Sequence, residues 1–419
     1  MERSILTESW QVNADDPAAL TALLDLPELT VTRLEYDAHR DLLLVLCLPQ
    51  YDVAVCPTCD TVAVQVHDHK ERWVRDLPWA GKHCALVLPA RRFQCDHCRR
   101  PFTERLAAIA PHARCTRRYE DHLVEQCRGT TIQAVHRREG LGYKAVEGIY
   151  YRLAAKRHSA PTLDAVRRLG IDEIALKKGH GQYALVLSDL DHGRVLTVLP
   201  ERTKEALEAS LATWSAEQRA AITDVALDLW EPYHLAVCTC FPNAQITADR
   251  FHVMQNLNDR VTEARRTIQR AASEEDQAQL KGCRWLVVKN ADDLSDEEQA
   301  KLEAMFAVSP ALQELHDLKE DFRTVFETAS DRATAQEHLA DWVQKVEQSG
   351  VTSLTKFVTT LRNWWEVILN YFPARLSSGF VEGMNNKLKV IKRLAYGFGN
   401  FEHFRLRVLV ECDGGMQSH

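Results

Sequence analysis

The chain has 419 residues, of which 45% are hydrophobic, and a formal net charge of −7. This length can bury several hydrophobic cores, which predicts two to four domains rather than one. The longest apolar run, Leu42 to Leu48, is far shorter than the roughly 20 residues of a membrane-spanning helix, and the N-terminus lacks a basic segment followed by an apolar run. These features argue against a membrane protein, and we expect a cytoplasmic one.

The net charge hides an uneven distribution. The segment from Arg91 to Arg157 holds 15 Lys and Arg against 7 Asp and Glu, whereas the segment from Glu274 to Glu303 is acidic. A basic segment of this size can bind the phosphates of a nucleic acid even when the whole chain is negative. The composition is therefore compatible with a DNA partner.

Two Cys-x-x-Cys pairs mark the N-terminal part. Residues 1–50 are a strand-rich lead-in, and residues 51–108 contain Cys56-Pro-Thr-Cys59 and Cys95-Asp-His-Cys98. Each pair places two sulfur atoms on a tight turn, and together they supply the four ligands of a tetrahedral zinc site. We predict a zinc-binding ribbon with a structural Zn²⁺. A histidine can replace one thiolate, and the candidates are His67, His69 and His97.

Residues 109–160 predict a helix-turn-helix domain. Helical spacing runs from Arg117 to Cys127, from Thr131 to Arg138 and from Lys144 to Lys156, with Gly140-Leu141-Gly142 between the last two. A short helical hairpin without a DNA-binding role has the same pattern and is the alternative. If the domain binds DNA, its last helix can reach base edges and phosphates. The predicted DNA contacts in the N-terminal half are Arg91, Arg92, Lys144, Arg152, Lys156 and Arg157.

Residues 161–270 predict the first part of a ribonuclease H-like core. Three strand patterns run from Ile171 to Leu176, from Gln182 to Leu187 and from Arg194 to Leu199. Helical patterns then alternate with further strand patterns, and one of these strands runs from Ala221 to Leu229. Three antiparallel strands followed by this alternation is the order of the ribonuclease H-like fold. Residues 271–372 predict an all-helical insertion, and residues 373–419 return to the core. The predicted class is thus a multidomain α/β protein, with a mixed sheet and flanking helices.

Three acidic residues lie where a carboxylate has no packing role. Asp172 and Asp228 interrupt apolar, strand-like runs, and Glu382 begins the sequence Glu-Gly-Met-Asn-Asn-Lys-Leu-Lys. Carboxylates from separate elements can hold two Mg²⁺ ions about 3.5–4 Å apart for phosphodiester chemistry. We therefore predict that these three acids form a catalytic, Mg²⁺-binding triad, in which Mn²⁺ can substitute.

Other residues around the acids have competing interpretations. Asp249 is the main alternative to Asp228, although an aspartate before a helix is commonly an N-cap. His252 is an accessory candidate that can orient a carboxylate or touch the scissile phosphate, and a structural buried histidine is its alternative. Trp364-Trp365 and Tyr371-Phe372 can stack on flipped bases or pack in a core.

The helix that follows Glu382 has an amide-rich and cationic face. Spacings of three and four residues place these side chains together, which predicts contacts with the DNA backbone near the active site. A solvated helix face is the alternative. The residues concerned are Asn385, Asn386, Lys387, Lys389, Lys392 and Arg393.

These motifs together resemble the ISL-three family of bacterial insertion-sequence transposases, which have DDE catalytic sites. The cysteine pairs with Arg-Arg-Phe-Gln-Cys are similar to the family's zinc domain. Three segments of this chain are similar to the family's three catalytic blocks. They are Gly-Ile-Asp172-Glu-Ile-Ala, then Asp228-Leu-Trp-Glu-Pro-Tyr with Asp249-Arg-Phe-His, and finally the segment that begins at Glu382. The resemblance implies Asp172, Asp228 and Glu382 as the triad. It also implies terminal inverted repeats and target DNA as substrates, and a homo-oligomer on DNA in the bacterial nucleoid.

Two other functions are compatible with the same motifs. A non-catalytic regulator derived from a transposase would keep the zinc and helix-turn-helix regions but would not need the acids. A structure-selective nuclease with a ribonuclease H-like core would cleave DNA without strand transfer. The presence of all three acids favours an enzyme over the regulator.

Overall fold

The computed structural model describes residues 10–13, 17–159, 163, 165–177, 181–375, 378–395 and 397–413, and the side chain of Glu382 lies outside this description. The chain forms two compact units, Met1–Ser159 and Ala160–His419. In the described residues, no helix is both long and apolar enough to cross a bilayer.

A six-stranded sheet forms the body of the first unit. Its strands are β1 (Trp10–Asn13), β2 (Leu29–Asp37), β3 (Leu42–Pro49), β6 (Val66–Trp79), β7 (Lys82–Gln94) and β8 (Pro101–Thr103). The order is β1-β2-β3-β7-β6, with β8 also paired to β7. Helix α1 (Pro17–Leu24) precedes β2, and the short strands β4 (Ala54–Val55) and β5 (Val62–Ala63) pair with each other. The lead-in and the ribbon therefore share one sheet, because β3 pairs with β7.

The hairpin of β6 and β7 is the ribbon expected between the cysteine pairs. Its loop consists of Ala80 and Gly81, which both have positive φ angles (51° and 75°). A two-residue loop with positive φ at both positions matches the twist of the flanking strands. The hairpin therefore leads the chain from the first cysteine pair to the second.

Three helices complete the first unit: α2 (Arg117–Gln126), α3 (Ile132–Glu139) and α4 (Tyr143–Arg157). Thr116 and Thr131 cap α2 and α3 by accepting hydrogen bonds from backbone N–H groups. Gly140 ends α3 in the left-handed conformation, with φ 64°, which a glycine adopts without strain. The predicted helix, turn and helix are confirmed.

The second unit contains a five-stranded mixed sheet. Its strands are β9 (Arg168–Lys177), β10 (Gln182–Asp189), β11 (Arg194–Leu199), β12 (Asp224–Leu227) and β13 (Gln245–Ala248). The order is β11-β10-β9-β12-β13. The first three strands are antiparallel, as predicted, and β12 is parallel to both β9 and β13.

Helices of the second unit pack on both faces of this sheet. The helices of the second unit are α5 (Lys204–Ala212), α6 (Ala216–Ala220), α7 (Glu231–Cys240), α8 (Arg250–Ala271), α9 (Glu274–Gln279), α10 (Cys283–Val288), α11 (Asp296–Val308), α12 (Pro310–Thr328), α13 (Arg332–Ser349), α14 (Thr352–Asn363), α15 (Trp365–Leu369), α16 (Tyr371–Ala374), α17 (Ser378–Leu394) and α18 (Phe401–Cys412). Helices α5 and α7 pack on the face of β9 that carries Ile171. Helices α17 and α18 pack on the face that carries Ile174. Because side chains alternate along a strand, Asp172 faces α17 and Glu173 faces α7.

Helices α9 to α16 form a helical region that lies between α8 and α17 in the chain. Their core, which includes α8, contains the rings of Phe322, Trp342 and Phe357, with centroids 4.8–5.7 Å apart. The described residues of this region form helices and one 3₁₀ turn, as the insertion prediction requires. Tyr371 and Phe372 are buried in this core. Of the two interpretations of this pair, packing in a core is therefore confirmed, and stacking on bases is excluded.

Candidate functional site

Three neighbouring strands bring three aspartates together: Asp172 lies in the middle of β9, and Asp228 and Asp249 directly follow β12 and β13. Strands β12 and β9 pair at Ala226 and Gly170, and two residues further along lie Asp228 and Asp172. Strands β12 and β13 pair at Leu227 and Ala248, which directly precede Asp228 and Asp249. The parallel register therefore aligns the three carboxylates along one edge of the sheet.

Asp172 is the most strongly held of these acids. It is 7% exposed, and its Oδ1 accepts hydrogen bonds from the Glu173 N–H (2.6 Å) and from His252 Nε2 (3.2 Å). Its Oδ2 accepts from the side-chain amide of Asn385 on α17. Burial by itself would raise the pKa of Asp172, but the hydrogen bond and charge of His252 hold this pKa below its usual value. The residue is therefore an ionised carboxylate.

His252 lies between two of the acids. Its Nε2 contacts Asp172, and its Nδ1 is 3.5 Å from Asp228 Oδ1. Burial alone would lower the pKa of His252, but the hydrogen bond to Asp172 and the charge of Asp228 raise it to about 9. Burial raises the pKa of Asp228, against the effect of His252. An imidazolium thus bridges two carboxylates that would otherwise repel each other.

Asp249 is the N-cap of α8. Its carboxylate accepts a hydrogen bond from the Phe251 N–H (3.0 Å), and burial raises its pKa to about 6. The negative charges of Asp172 and Asp228 contribute to this rise. Asp249 therefore caps a helix, which was the competing interpretation of this residue. It also lies in the same group of acids as Asp172 and Asp228.

Glu382 lies on α17, but its side chain is outside the described residues. Asn385 follows it by three residues in the same helix and reaches Asp172. Sequence reasoning assigned Asn385 to DNA contact and missed this role. The spacing was a usable signal, because residues three apart share a helix face.

Most cations of α17 also have partners within the unit. Lys392 Nζ donates to the Ala175 carbonyl of β9 (2.7 Å), and Arg393 Nε donates to the Lys389 carbonyl (3.3 Å). Lys389 also donates to Asn386, which is exposed. Lys387 is half-buried. Lys392 therefore helps to fix α17 on the sheet, whereas the exposed side chains of Asn386, Lys389 and Arg393 are accessible to a ligand.

A second feature that sequence reasoning missed lies on the opposite face of β9. The Tyr233 hydroxyl donates to Glu173 Oε1 (2.8 Å), and Arg202 donates to Glu173 Oε2 (3.0 Å). The Arg202 guanidinium lies 4.3 Å from the centroid of the Tyr183 ring. Glu173 adjoins Asp172, and Tyr233 follows Asp228 by five residues, so this network links the segments that carry both acids.

The four predicted zinc ligands form one cluster in the first unit. The sulfur atoms of Cys56 and Cys98 are 3.6 Å apart, as are those of Cys59 and Cys95. A tetrahedral site with Zn–S bonds of about 2.3 Å requires about 3.8 Å between sulfurs, whereas a disulfide requires about 2.05 Å. Among the described residues, only this group brings three or more His, Cys, Asp or Glu donor atoms within 4.8 Å of one another. The donor set therefore fits zinc.

The two cysteine turns have the same backbone design. The Asp60 N–H donates to the Cys56 carbonyl (2.9 Å), and the Arg99 N–H donates to the Cys95 carbonyl (3.0 Å). Asp60 and Arg99 both have positive φ angles, of 56° and 57°. The hydroxyl of Thr61 helps to lower the pKa of Cys59 to about 5. For Cys98, the hydrogen bond from the Arg100 backbone by itself would lower the pKa, but burial and the neighbouring sulfurs outweigh it and raise the pKa to about 11, so the fit to zinc depends on the positions of the four sulfurs and not on these pKa values.

The predicted DNA-binding cations of the first unit differ in accessibility. Arg91 is largely buried and donates to Glu104 (2.7 Å), which gives it a structural partner. On α4, ion pairs engage Lys144 with Glu147, Arg152 with Glu120 and Arg157 with Asp121. Arg92 and Lys156 are exposed. The exposed cations, unlike Arg91, remain candidates for phosphate contacts.

Three family models match successive parts of the chain. The model for the zinc-finger of transposase IS204/IS1001/IS1096/IS1165 matches residues 52–98, and that for the helix-turn-helix domain of transposase family ISL3 matches residues 104–154. A transposase model of the ISL3 DDE type matches residues 169–408.

Two curated relatives give the same result. The transposase for insertion sequence element IS1001 of Bordetella parapertussis is 30% identical over 389 residues, which are 92% of this chain and 95% of the relative. The transposase for insertion sequence element IS1557 of Mycobacterium tuberculosis is 26% identical over 351 residues, 77% of this chain and 78% of the relative. The chain is thus a DNA-binding insertion-sequence transposase, and it belongs to the ISL3 (ISL-three) family.

Proposed function

We propose that this transposase cleaves and joins DNA with Asp172, Asp228 and Glu382 as its catalytic acids. The observation that carries the proposal is the position of Asp172 in β9 beside Asp228, which directly follows the neighbouring parallel strand β12, with His252 in contact with both. Carboxylates placed so close disfavour each other's ionisation unless a cation is present. This arrangement suits a site that binds metal ions and phosphate.

The second unit supports a ribonuclease H-like assignment. Three antiparallel strands come first, and β12 and β13 then extend the sheet beyond β9 in the parallel direction. Helices cover both faces. On this assignment, residues 161–270 and 373–419 are the two parts of the core, and residues 271–372 are the insertion between them.

The position of α17 supports Glu382 as the third acid. Asn385 hydrogen-bonds to Asp172, Lys392 to Ala175, and Leu388 packs against the sheet, so α17 is fixed on β9. Glu382 precedes Asn385 by three residues, which is about one helical turn. A glutamate on this face of α17 is therefore well placed to join the two aspartates.

Mg²⁺ fits this set of donors, because it prefers carboxylate oxygens and retains water in its coordination shell. Asp172, Asp228 and Glu382 would hold two ions, with Mn²⁺ as a substitute. When bound, the ions provide positive charge for the attacking and leaving oxygens of a phosphodiester displacement. His252 and Asn385 act as positioning residues, since each binds a carboxylate of the site.

The proposed chemistry has two steps. In cleavage, a water oxygen bonds to phosphorus and the bond from phosphorus to the 3′-oxygen breaks, which leaves a 3′-hydroxyl. In strand transfer, that hydroxyl attacks a target phosphodiester, so that one phosphodiester bond forms for each one broken. No protein nucleophile takes part, and we expect no covalent intermediate between protein and DNA.

The first unit supplies DNA binding in this proposal. The zinc ribbon and the helix-turn-helix would bind the terminal inverted repeats, with Arg92, Lys144 and Lys156 on phosphates. Asn386 and Lys389 on α17 would contact DNA near the chemistry. Joining two element ends to a target requires two active sites near each other, so we infer a homo-oligomer of at least two copies in the DNA complex.

Nicking and joining of a labelled duplex tests the proposal. The duplex carries the inverted repeat that flanks the reading frame, and wild type is compared with Asp172→Ala, Asp228→Ala, Asp249→Ala and Glu382→Ala in Mg²⁺. We expect wild type to cut and join. The Asp172, Asp228 and Glu382 variants should bind the ends normally and lose at least about 1,000-fold in rate, as expected when a group that acts on the reacting phosphate is removed.

Two results would contradict the proposal. If wild type binds the ends but cuts in no divalent metal, the chain acts as a regulator. If the Asp249 variant is inactive while the Asp228 variant cuts, the second acid is Asp249.

A further inference from the structure

Exposed apolar side chains are concentrated around the first cysteine turn. Of the 15 large hydrophobic side chains that are exposed in the described part of the chain, seven lie in the segment from Leu48 to Val66. Monomeric proteins rarely expose contiguous apolar patches of more than a few hundred Å². A concentration of this kind therefore marks a surface that meets another molecule. The seven residues are Leu48, Tyr51, Val53, Val55, Val62, Val64 and Val66.

The short sheet of β4 and β5 places four of these valines on one face. Ala54 pairs with Ala63 and Val55 pairs with Val62, and directly opposed residues point to the same side of a sheet. The alanine side packs on the cysteine cluster, where Ala63 is buried. Because side chains alternate along a strand, the valines point to the other side. This valine face consists of Val53, Val55, Val62 and Val64, which are 44–65% exposed.

The charge around the valine face does not suit DNA. The segment from Leu48 to Val66 contains Asp52 and Asp60 but no Lys, Arg or His. The second cysteine turn differs, because Arg99 and Arg100 directly follow its last cysteine and both are exposed. Binding to the phosphates of DNA requires cations. The second turn therefore suits DNA, whereas the valine face suits a protein surface.

Two opposite charges lie at the rim of the valine face. A groove with a volume of about 350 Å³ runs beside β4, and its lining includes Val53, Val55, Asp60 and Arg105. Asp60 and Arg105 are exposed, and neither side chain has a hydrogen-bond or ion-pair partner among the described residues. One apolar surface thus has an unpaired acid and an unpaired base at its edge. Such a surface is complementary to a second copy of itself.

We propose that the valine face is a contact between two copies of this chain, related by a two-fold axis. The apolar centres pack on each other, and each Asp60 meets Arg105 of the other copy. The inference rests on the homo-oligomer of the proposed function and assigns a surface to it. The exposed cations of the second cysteine turn and of α4 take no part in this contact, so they stay available to DNA.

Sedimentation velocity of the full-length, zinc-loaded chain tests this contact, over a concentration series with and without the terminal-repeat duplex. The variant is Val55→Thr/Val62→Thr, since threonine keeps the β-branched shape of valine but brings a hydroxyl into the contact. We expect its dimer dissociation constant to rise by at least about 10-fold. Leu235→Gln changes a similarly exposed apolar residue of α7 and should leave the dimer unchanged. A zinc content of one per chain shows that the ribbon of each variant is intact.

A charge exchange tests the two-fold geometry. Asp60→Arg and Arg105→Asp each place like charges at both rim contacts of a dimer, and each should weaken it by about 10-fold. Mixed in equal amounts, the two variants should form a heterodimer of near wild-type affinity, because each rim contact then joins opposite charges. Arginine fits position 60, since Arg99 has the equivalent place in the second turn, with φ 57° against 56°. A folding defect within one chain would not be repaired by the other chain.

Three results would overturn the proposal. If the valine variant dimerises as tightly as wild type, another surface joins the copies, and the proposed homo-oligomer itself is unaffected. If wild type is a monomer both alone and on the terminal repeat, the homo-oligomer fails together with this contact. If each charge variant loses the dimer and their mixture does not restore it, the two-fold pairing of Asp60 with Arg105 is wrong. The proposed chemistry is decided separately, by the nicking rates of the Asp172, Asp228 and Glu382 variants.

Discussion

The cysteine cluster of the first unit and the carboxylate site of the second arrange their side chains in opposite ways. The cysteines come from two equivalent turns of one ribbon, and their sulfurs already lie at distances that suit one ion. The aspartates come from three separate strands or the residues that follow them, and His252 lies between two of them. Four thiolates close a coordination shell, whereas spaced carboxylates leave positions for DNA oxygens. If the proposed function is correct, this difference separates a site that stabilises the fold from a site that performs chemistry.

Of the changes that test this comparison, Cys59→Ser should have the largest effect on metal content and DNA binding. A structural zinc contributes about 10–16 kcal/mol of apparent binding free energy in small zinc domains, so loss of one thiolate should release the ion and disorder the ribbon. Zinc content, measured by elemental mass spectrometry, should fall well below one per chain, and end binding should weaken by at least about 100-fold. Cys238→Ser is the control, because Cys238 is exposed and outside the cluster. Retention of zinc by Cys59→Ser would refute the assignment.

A smaller effect is expected from Asn385→Ala at the carboxylate site. The variant removes the hydrogen bond to Asp172 Oδ2, and the loss of a group that orients a metal ligand typically costs 10- to 100-fold. Nicking should slow by about that factor, and the Mg²⁺ concentration for half-maximal rate should rise, while end binding stays unchanged. Asn385→Ser retains a donor and should recover part of the rate.

Asn386 gives the contrast on the same helix. It is exposed, so Asn386→Ala should weaken end binding without changing the Mg²⁺ requirement. Val390→Ala, an exposed change on α17, is the control for helix stability. If Asn385→Ala weakens DNA binding and leaves the Mg²⁺ dependence unchanged, Asn385 contacts DNA as the sequence first suggested.

The sequence predicted the cysteine site more completely than the carboxylate site. The ligands of the former lie three residues apart within each pair, so local spacing contains most of the geometry. Asn385 and Asp172 are 213 residues apart, and no local pattern reports that they touch. The sequence identified Asp172 and Asp228, which the structure brings together, but the roles of their neighbours depend on tertiary packing.

Element boundaries show the same limit. The apolar run from Ala221 to Leu229 predicts a long strand, yet β12 covers only Asp224–Leu227. Ile222 precedes the strand but packs in the same core, so hydrophobicity alone does not mark the end of a strand. Helix α18 has buried side chains around most of its circumference, including Arg407, and thus lacks the polar face that makes a helix visible in sequence.

A still smaller effect should follow from Asp249→Asn. Asparagine caps helices as well as aspartate does, so α8 should keep its N-cap, and nicking should fall by less than about 10-fold if Asp228 is the second acid. Asp249→Ala removes the cap as well and should lower the stability of the second unit by about 1 kcal/mol. Thermal unfolding and the nicking rate separate these roles. A loss as large as that of Asp172→Ala, with unchanged stability, would make Asp249 a metal ligand.

The smallest effect concerns the histidines near the cysteine cluster. His67 lies on β6 and His97 on the second cysteine turn, and both are exposed. Since four thiolates complete a tetrahedral shell, neither imidazole has a coordination position to fill. His67→Ala and His97→Ala should therefore leave the zinc content at one per chain and leave end binding within about two-fold. A variant that loses zinc would mean that one cysteine is not a ligand, and the cluster would then have the open position that separates a catalytic metal site from a structural one.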